Sequence, residues 1–117
     1  MPEHVLHLLD RLRDSTHTHV LLVALSEATP VHEAARLQCD LARSGITPRA
    51  WVLNQSLTAA HPTDMVLMAR ATGEYRYLAE VANTLAERLV ILPRVADAPV
   101  GAPRLRSLVC ESAGATR

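Results

Sequence analysis

The sequence predicts an α/β fold: a three-layer arrangement in which a parallel sheet of about three strands is flanked by helices. Three observations carry that expectation. Nearly unbroken apolar runs of strand length recur at residues 19–25, 50–53 and 89–92. The segments between them space their apolar residues helically and carry start and stop signals. The order helix, strand, helix, strand, helix, strand, helix, with short connections, implies right-handed crossovers and parallel pairing. Because the first run has no polar alternation, both faces of its strand are expected to be covered.

Taken in order, residues 4–14 put Val5, Leu8, Leu9 and Leu12 on one helical face, and the stretch Ser15-Thr16-His17-Thr18 ends it. The first strand follows at 19–25. Thr29 is the expected N-cap of the second helix, with Pro30 in its first position and Glu33 in its first turn, where the helix dipole favours an anion. Ala34, Leu37 and Leu41 continue that helix, and Gly45 closes it. The second strand ends at Asn54, and residues 55–62 read as a loop ending in His61-Pro62. A longer helix is expected over about 63–87 through Val66, Leu67, Leu78, Val81 and Leu85, with Gly73 a point where it could kink or divide. The third strand stops at Pro93. A loop with Pro99 and Gly101 leads to a short helix near 103–109. Residues 1–110 are thus expected to form one α/β domain, and 111–117 a flexible tail.

Composition narrows the function classes. The chain has 117 residues, 49% of them hydrophobic, and 12 acidic residues balance 12 basic ones, every one of which is arginine. The arginines are scattered from Arg11 to Arg117, so no basic stripe for a nucleic-acid backbone is expected. The absence of lysine and of a glycine-rich loop removes the phosphate grip of a P-loop enzyme from these residues. Cys39 and Cys110 show no metal-ligand spacing and read as free thiols of a cytoplasmic protein. No run approaches the roughly 20 apolar residues of a membrane span, and the start lacks the features of a signal peptide. The histidine pairs His4/His7 and His17/His19 lack an accompanying carboxylate or thiolate at suitable spacing, so no metal site is expected.

Ligands of an open parallel sheet bind outside the carboxyl ends of its strands. Those ends are Ser26-Glu27, Asn54-Gln55 and Pro93-Arg94. Asn54 has two readings. Its carboxamide offers a donor beside an acceptor, which matches the N6/N7 edge of adenine, and a strand-end Asn also bonds its own backbone in a turn. Glu27 reads as a helix N-terminal charge before it reads as a catalytic carboxylate. Arg76, between Tyr75 and Tyr77, could stack on a base or simply face solvent. No nucleophile-elbow motif is present, and no catalytic residue is assigned.

The words Val20-Leu21-Leu22-Val23-Ala24-Leu25-Ser26-Glu27-Ala28-Thr29-Pro30-Val31-His32-Glu33-Ala34 and Trp51-Val52-Leu53-Asn54-Gln55-Ser56-Leu57 resemble the arsenical pump-driving ATPases, which are deviant P-loop NTPases. Leu92-Pro93, Ala98-Pro99-Val100-Gly101 and Arg104-Leu105 extend the resemblance, which covers roughly residues 8–108. His32 and Ala28 stand where the family usually has leucine and threonine, and Cys39 where it has a small non-ligand residue. The likeness is to the C-terminal portion of a nucleotide-binding half, downstream of the family's P-loop, switch regions and metalloid cysteines. It implies that Asn54 contacts adenine and that the Pro93 loop packs beside it. It also implies ATP or ADP with Mg for a complete domain, but no nucleotide and no hydrolysis for this chain alone. The implied partners are the remainder of the ATPase or a second copy of the chain, and a membrane arsenite pump reached through the full ATPase. The competing expectations are a stand-alone interaction module that binds a partner subunit without nucleotide, and an unrelated small α/β enzyme.

Overall fold

The computed structural model describes residues 2–112. Helix α1 spans Glu3–Arg13, strand β1 Leu21–Leu25, helix α2 Ala28–Arg43 and strand β2 Ala50–Ser56. A four-residue helix α3, Leu57–Ala60, precedes helix α4, Met65–Glu80, which continues into a π-helical turn, Val81–Leu85. Strand β3, Leu89–Pro93, and helix α5, Ala102–Ser112, complete the order. The fold is α/β, with a three-stranded parallel sheet flanked by helices, and its strands lie side by side in the order β1-β2-β3.

That strand order explains where the core sits. Two successive crossovers of one hand, stepping in one direction across a sheet, place both connecting helices on the same face. The register agrees. Leu22 pairs with Trp51 and Ala24 with Leu53, and all four are buried, together with Val31 of α2 and Val81 at the end of α4. Trp51 Nε1 donates to Gln38 Oε1 of α2, and Gln38 Nε2 donates to the Leu85 carbonyl at 3.0 Å. One side chain of α2 therefore ties β2 to the π-helical turn and satisfies the indole N–H that would otherwise be buried unpaired.

The opposite face departs from the sequence expectation. Leu21 is 52% exposed and Val23 61% exposed, and Leu25 is also open. The apolar run of β1 is covered on one side only, because α2 and α4 both lie on the other. Among the described residues the outer edge of β1 is also unpaired, and a cleft of about 580 Å³ runs along it beside Pro30, Ala34 and Leu37 of α2.

Local signals explain most boundaries and correct several. Helix α2 ends where expected: the Gly45 N–H bonds the Ala42 carbonyl and the Ile46 N–H the Leu41 carbonyl, with Gly45 at φ +79°. This is the left-handed Schellman closure that glycine favours. Its start lies earlier than expected. Glu27, not Thr29, is the N-cap, and Pro30 takes the third helical position. Proline is tolerated there because the N–H groups of the whole first turn lack intrahelical partners. Glu33 consequently falls outside the first turn.

The stretch read as a loop over 55–62 is instead the end of β2 and the helix α3, capped by Ser56, whose Oγ accepts from Ala59 N. Helix α4 begins at a true cap, since Asp64 Oδ1 accepts from the Val66 and Leu67 N–H groups. It runs through Gly73 without interruption; the irregularity comes later, where Ala86 N bonds the Val81 carbonyl five residues back. Helix α5 enters the stretch read as a tail by two residues, and residues 113–117 lie outside the described residues.

Candidate functional site at the carboxyl ends of β2 and β3

Asn54 and Pro93 come from strands that the chain separates by α3 and α4, and the sheet brings their ends together. The β2–β3 register runs Leu53 to Ile91 and then Ser56 to Pro93, so β2 carries one extra residue between the two pairs. That residue count defines a β-bulge, a device that bends a strand and re-aims a side chain beside functional sites. Gln55 absorbs the bend at φ +54°, in the left-handed region that a non-glycine residue occupies only at a cost. Beyond the bulge, the Arg94 N–H donates to the Ser56 carbonyl at 3.0 Å, which fastens the start of the Pro93 loop to the end of β2.

Asn54 is half-buried and pairs with Leu25, which puts it on the open face of the sheet. Its Oδ1 accepts from the Gln55 N–H at 3.0 Å, so the turn-forming role weighed from the sequence is realised. The Nδ2 group makes no hydrogen bond among the described residues. A carbonyl oxygen has two lone pairs. The side chain therefore retains both donors and one acceptor site for a planar ligand edge, while the bond to Gln55 fixes its orientation.

A buried carboxylate that the sequence reading did not single out supports this corner. Glu74 of α4 is 9% exposed. Its Oε2 accepts from Ser56 Oγ at 2.9 Å and from the Thr58 N–H at 3.2 Å, and its Oε1 from the Leu57 N–H at 2.9 Å. The sequence does contain a signal for it. Ala71, Glu74, Leu78 and Val81 form one helical stripe that is otherwise apolar, and a charge on such a stripe needs a specific partner.

The third strand end behaves differently. Ser26 is 5% exposed, and its Oγ has no hydrogen-bond partner among the described residues. Glu27 is exposed and makes no capping bond with its side chain, so the helix-charge role expected for it is reduced to position alone. Both line a cleft of about 410 Å³ with Arg70, Glu74 and Tyr77. This cleft lies on the helix-covered side, away from Asn54. Arg76 sits over the ring of Tyr77, 5.7 Å from its centroid. Of the histidine pairs, His17 is bound to Asp14, with Nδ1 and Oδ2 at 2.9 Å.

The chain's relationships bear directly on this corner. A model of the anion-transporting ATPases matches residues 1–110, a span that includes all three strand ends. The chain belongs to that family. An arsenical pump-driving ATPase of Acidiphilium multivorum is 43% identical over 99 residues, which cover 85% of this chain and 17% of that protein. One from Escherichia coli is 44% identical over the same extent, and a second from that organism 42% identical over 97 residues. The chain therefore spans 17% of the length of these relatives. Family membership agrees with the α/β sheet, and no described helix is long and apolar enough to cross a membrane.

Proposed function

We propose that residues 1–110 form one α/β unit that supplies the adenine side of an arsenite-transport ATPase. In this reading Asn54 meets the base and the Pro93 loop packs beside it. The observation that carries the proposal is the bulged end of β2 bonded to the end of β3, because it places both residues at one corner of the sheet. The free Nδ2 donors and the remaining Oδ1 lone pair suit the mixed donor and acceptor edge of adenine.

These residues hold no lysine and no glycine-rich loop, so the phosphates and Mg are gripped by other parts of the complete ATPase. The chain alone accordingly hydrolyses nothing and binds no Mg-nucleotide tightly. The remainder of the ATPase is the partner that fits the bare edge and open face of β1, and a second copy is the substitute when it is missing. Contact with a membrane arsenite pump passes through the assembled ATPase, in the cytoplasm.

One observation favours the alternative of a stand-alone interaction module: Asn54 already commits one Oδ1 lone pair to its own turn, whereas the apolar face of β1 is uncovered among the described residues. Titration calorimetry with Mg-ADP separates the readings. The wild-type chain and Asn54→Ala are each measured alone and mixed with a family polypeptide that carries the phosphate-binding portion. The adenine-side reading predicts binding only in the mixture, weakened about tenfold by Asn54→Ala, as for loss of one good hydrogen bond. Tight, Mg-dependent binding by the isolated chain would overturn it. Equal affinity of the two mixtures would favour the interaction module.

A further inference from the structure

We infer that Glu74 is the positioning residue of the Asn54–Pro93 corner: its carboxylate holds the bulge at the end of β2 in the one geometry that presents Asn54. The inference rests on the adenine-side reading for what the corner binds, but the geometry behind it does not.

Several donors converge at this point, and a group rich in acceptors suits them. The N–H groups of Leu57, Thr58 and Ala59 open helix α3 and have no carbonyl to bond. Glu74 accepts the first two, and Ser56 Oγ accepts the third while donating its own hydrogen to Glu74. A carboxylate is acceptor-only and can take all three of the bonds it receives here. A carboxamide would turn an N–H₂ group toward one of these donors. Among the described residues no cation pairs with Glu74 within salt-bridge distance, so the two N–H groups and the hydroxyl are its polar partners.

The path from this carboxylate to the ligand edge is short. Ser56 is fully buried; its hydroxyl is held by Glu74, and its carbonyl receives the Arg94 N–H. Gln55, immediately before it, is the left-handed residue, and Asn54 bonds the Gln55 N–H. A strained residue persists only where its neighbours over-determine it. On one side that neighbour is the Asn54 side chain, and on the other it is Ser56, clamped by Glu74. A second tie from the same helix, Thr58 Oγ1 to the Ala71 carbonyl at 3.0 Å, keeps α3 seated on α4.

A purely structural role would make Glu74 interchangeable with any other buried contributor to stability, and NMR of the full-length labelled chain can tell the two apart. The variants are Glu74→Gln, Ser56→Ala, which removes the relaying hydroxyl with little change in volume, and Val81→Ala. The last is a control that destabilises the far end of α4. The readouts are the Asn54 side-chain amide signals, the Arg94 amide shift and the Gln55 three-bond coupling that reports its φ. Glu74→Gln and Ser56→Ala are expected to move all of these and to return Gln55 toward extended backbone, while Val81→Ala leaves them in place.

Unmoved signals in a folded Glu74→Gln or Ser56→Ala chain overturn the inference, as do equal shifts in all three variants. If Glu74→Gln fails to fold, Ser56→Ala decides. In the reconstituted mixture, Glu74→Gln should weaken Mg-ADP by about the same factor as Asn54→Ala, and the double variant should lose little more, because the two act as one unit. If Asn54→Ala costs nothing there, the adenine-side reading fails, and the spectroscopic comparison still judges Glu74 by itself.

Discussion

Lysine at position 23 and lysine at position 24 should have opposite consequences. Val23 is 61% exposed on the open face of β1, whereas Ala24, its neighbour, is 7% exposed on the face packed by α2 and α4. In the isolated chain, held dilute enough to be monomeric, Val23→Lys leaves the ammonium in water and should cost no more than about 0.5 kcal/mol, the usual range for a surface substitution. Ala24→Lys must drive four methylenes and a charge into the space beside Val31 and Leu53, both 0% exposed. That should cost more than about 4 kcal/mol, a large part of the 5–15 kcal/mol that holds an ordinary domain together.

Association reverses the ranking of what Val23→Lys does. Covering the exposed part of Val23 is worth about 1–2 kcal/mol, and a lysine in its place must be stripped of water at a cost of several kcal/mol. The complex with the remainder of the ATPase should therefore weaken by about 100-fold or more. Urea unfolding measures the first pair of effects and analytical ultracentrifugation of the mixture the second. A loss above about 2 kcal/mol for Val23→Lys in the isolated chain would show that this face is already covered. Tolerance of Ala24→Lys would mean that β1 is out of register by one residue, since such a slip exchanges its two faces.

Two further outcomes follow from local geometry. Gln55→Gly removes the steric cost of a left-handed residue and should be neutral or stabilising by up to about 1 kcal/mol in urea unfolding, whereas Gln55→Val, with its branched Cβ, should destabilise by about 2 kcal/mol. Asp14 accepts from the Thr16 hydroxyl and N–H and contacts His17, which together hold its pKa below the ordinary carboxylate value. A depressed folded-state value means that its stabilising contribution is present above the unfolded-state pKa and is lost as acid takes the pH down through the folded one. An NMR titration should find Asp14 protonating at lower pH in the folded chain than in urea, and Thr16→Ala should narrow that gap.

Much of this architecture could be read from residue order, and the parts that could not share a cause. The three strands announce themselves as nearly unbroken apolar runs of strand length, and Gly45 announces its Schellman turn because few other residues tolerate its backbone. Pro30 misled about the helix start because the first turn accepts proline at several positions. The bulge at Gln55 was hidden because glutamine carries no signal for left-handed backbone; the contacts that impose it come from Glu74 and Ser56, 19 and one residues away. Glu74 stands out in the sequence only as a charge on the otherwise apolar stripe of Ala71, Leu78 and Val81, which asks for a partner without naming one. The bare face of β1 was unreadable for another reason. An apolar run reports that a strand expects cover, but not whether that cover belongs to the same set of residues.

The strand order has a kinetic consequence. Each strand pairs with the one that precedes it in the chain, so the sheet can grow in chain order, one crossover at a time. Each parallel pairing must still close a whole strand–helix–strand loop before its contacts form, which makes these closures the slow steps of folding. Growth in that order leaves the outer edge and the open face of β1, the first strand made, as the surface still bare among the described residues when β3 is in place.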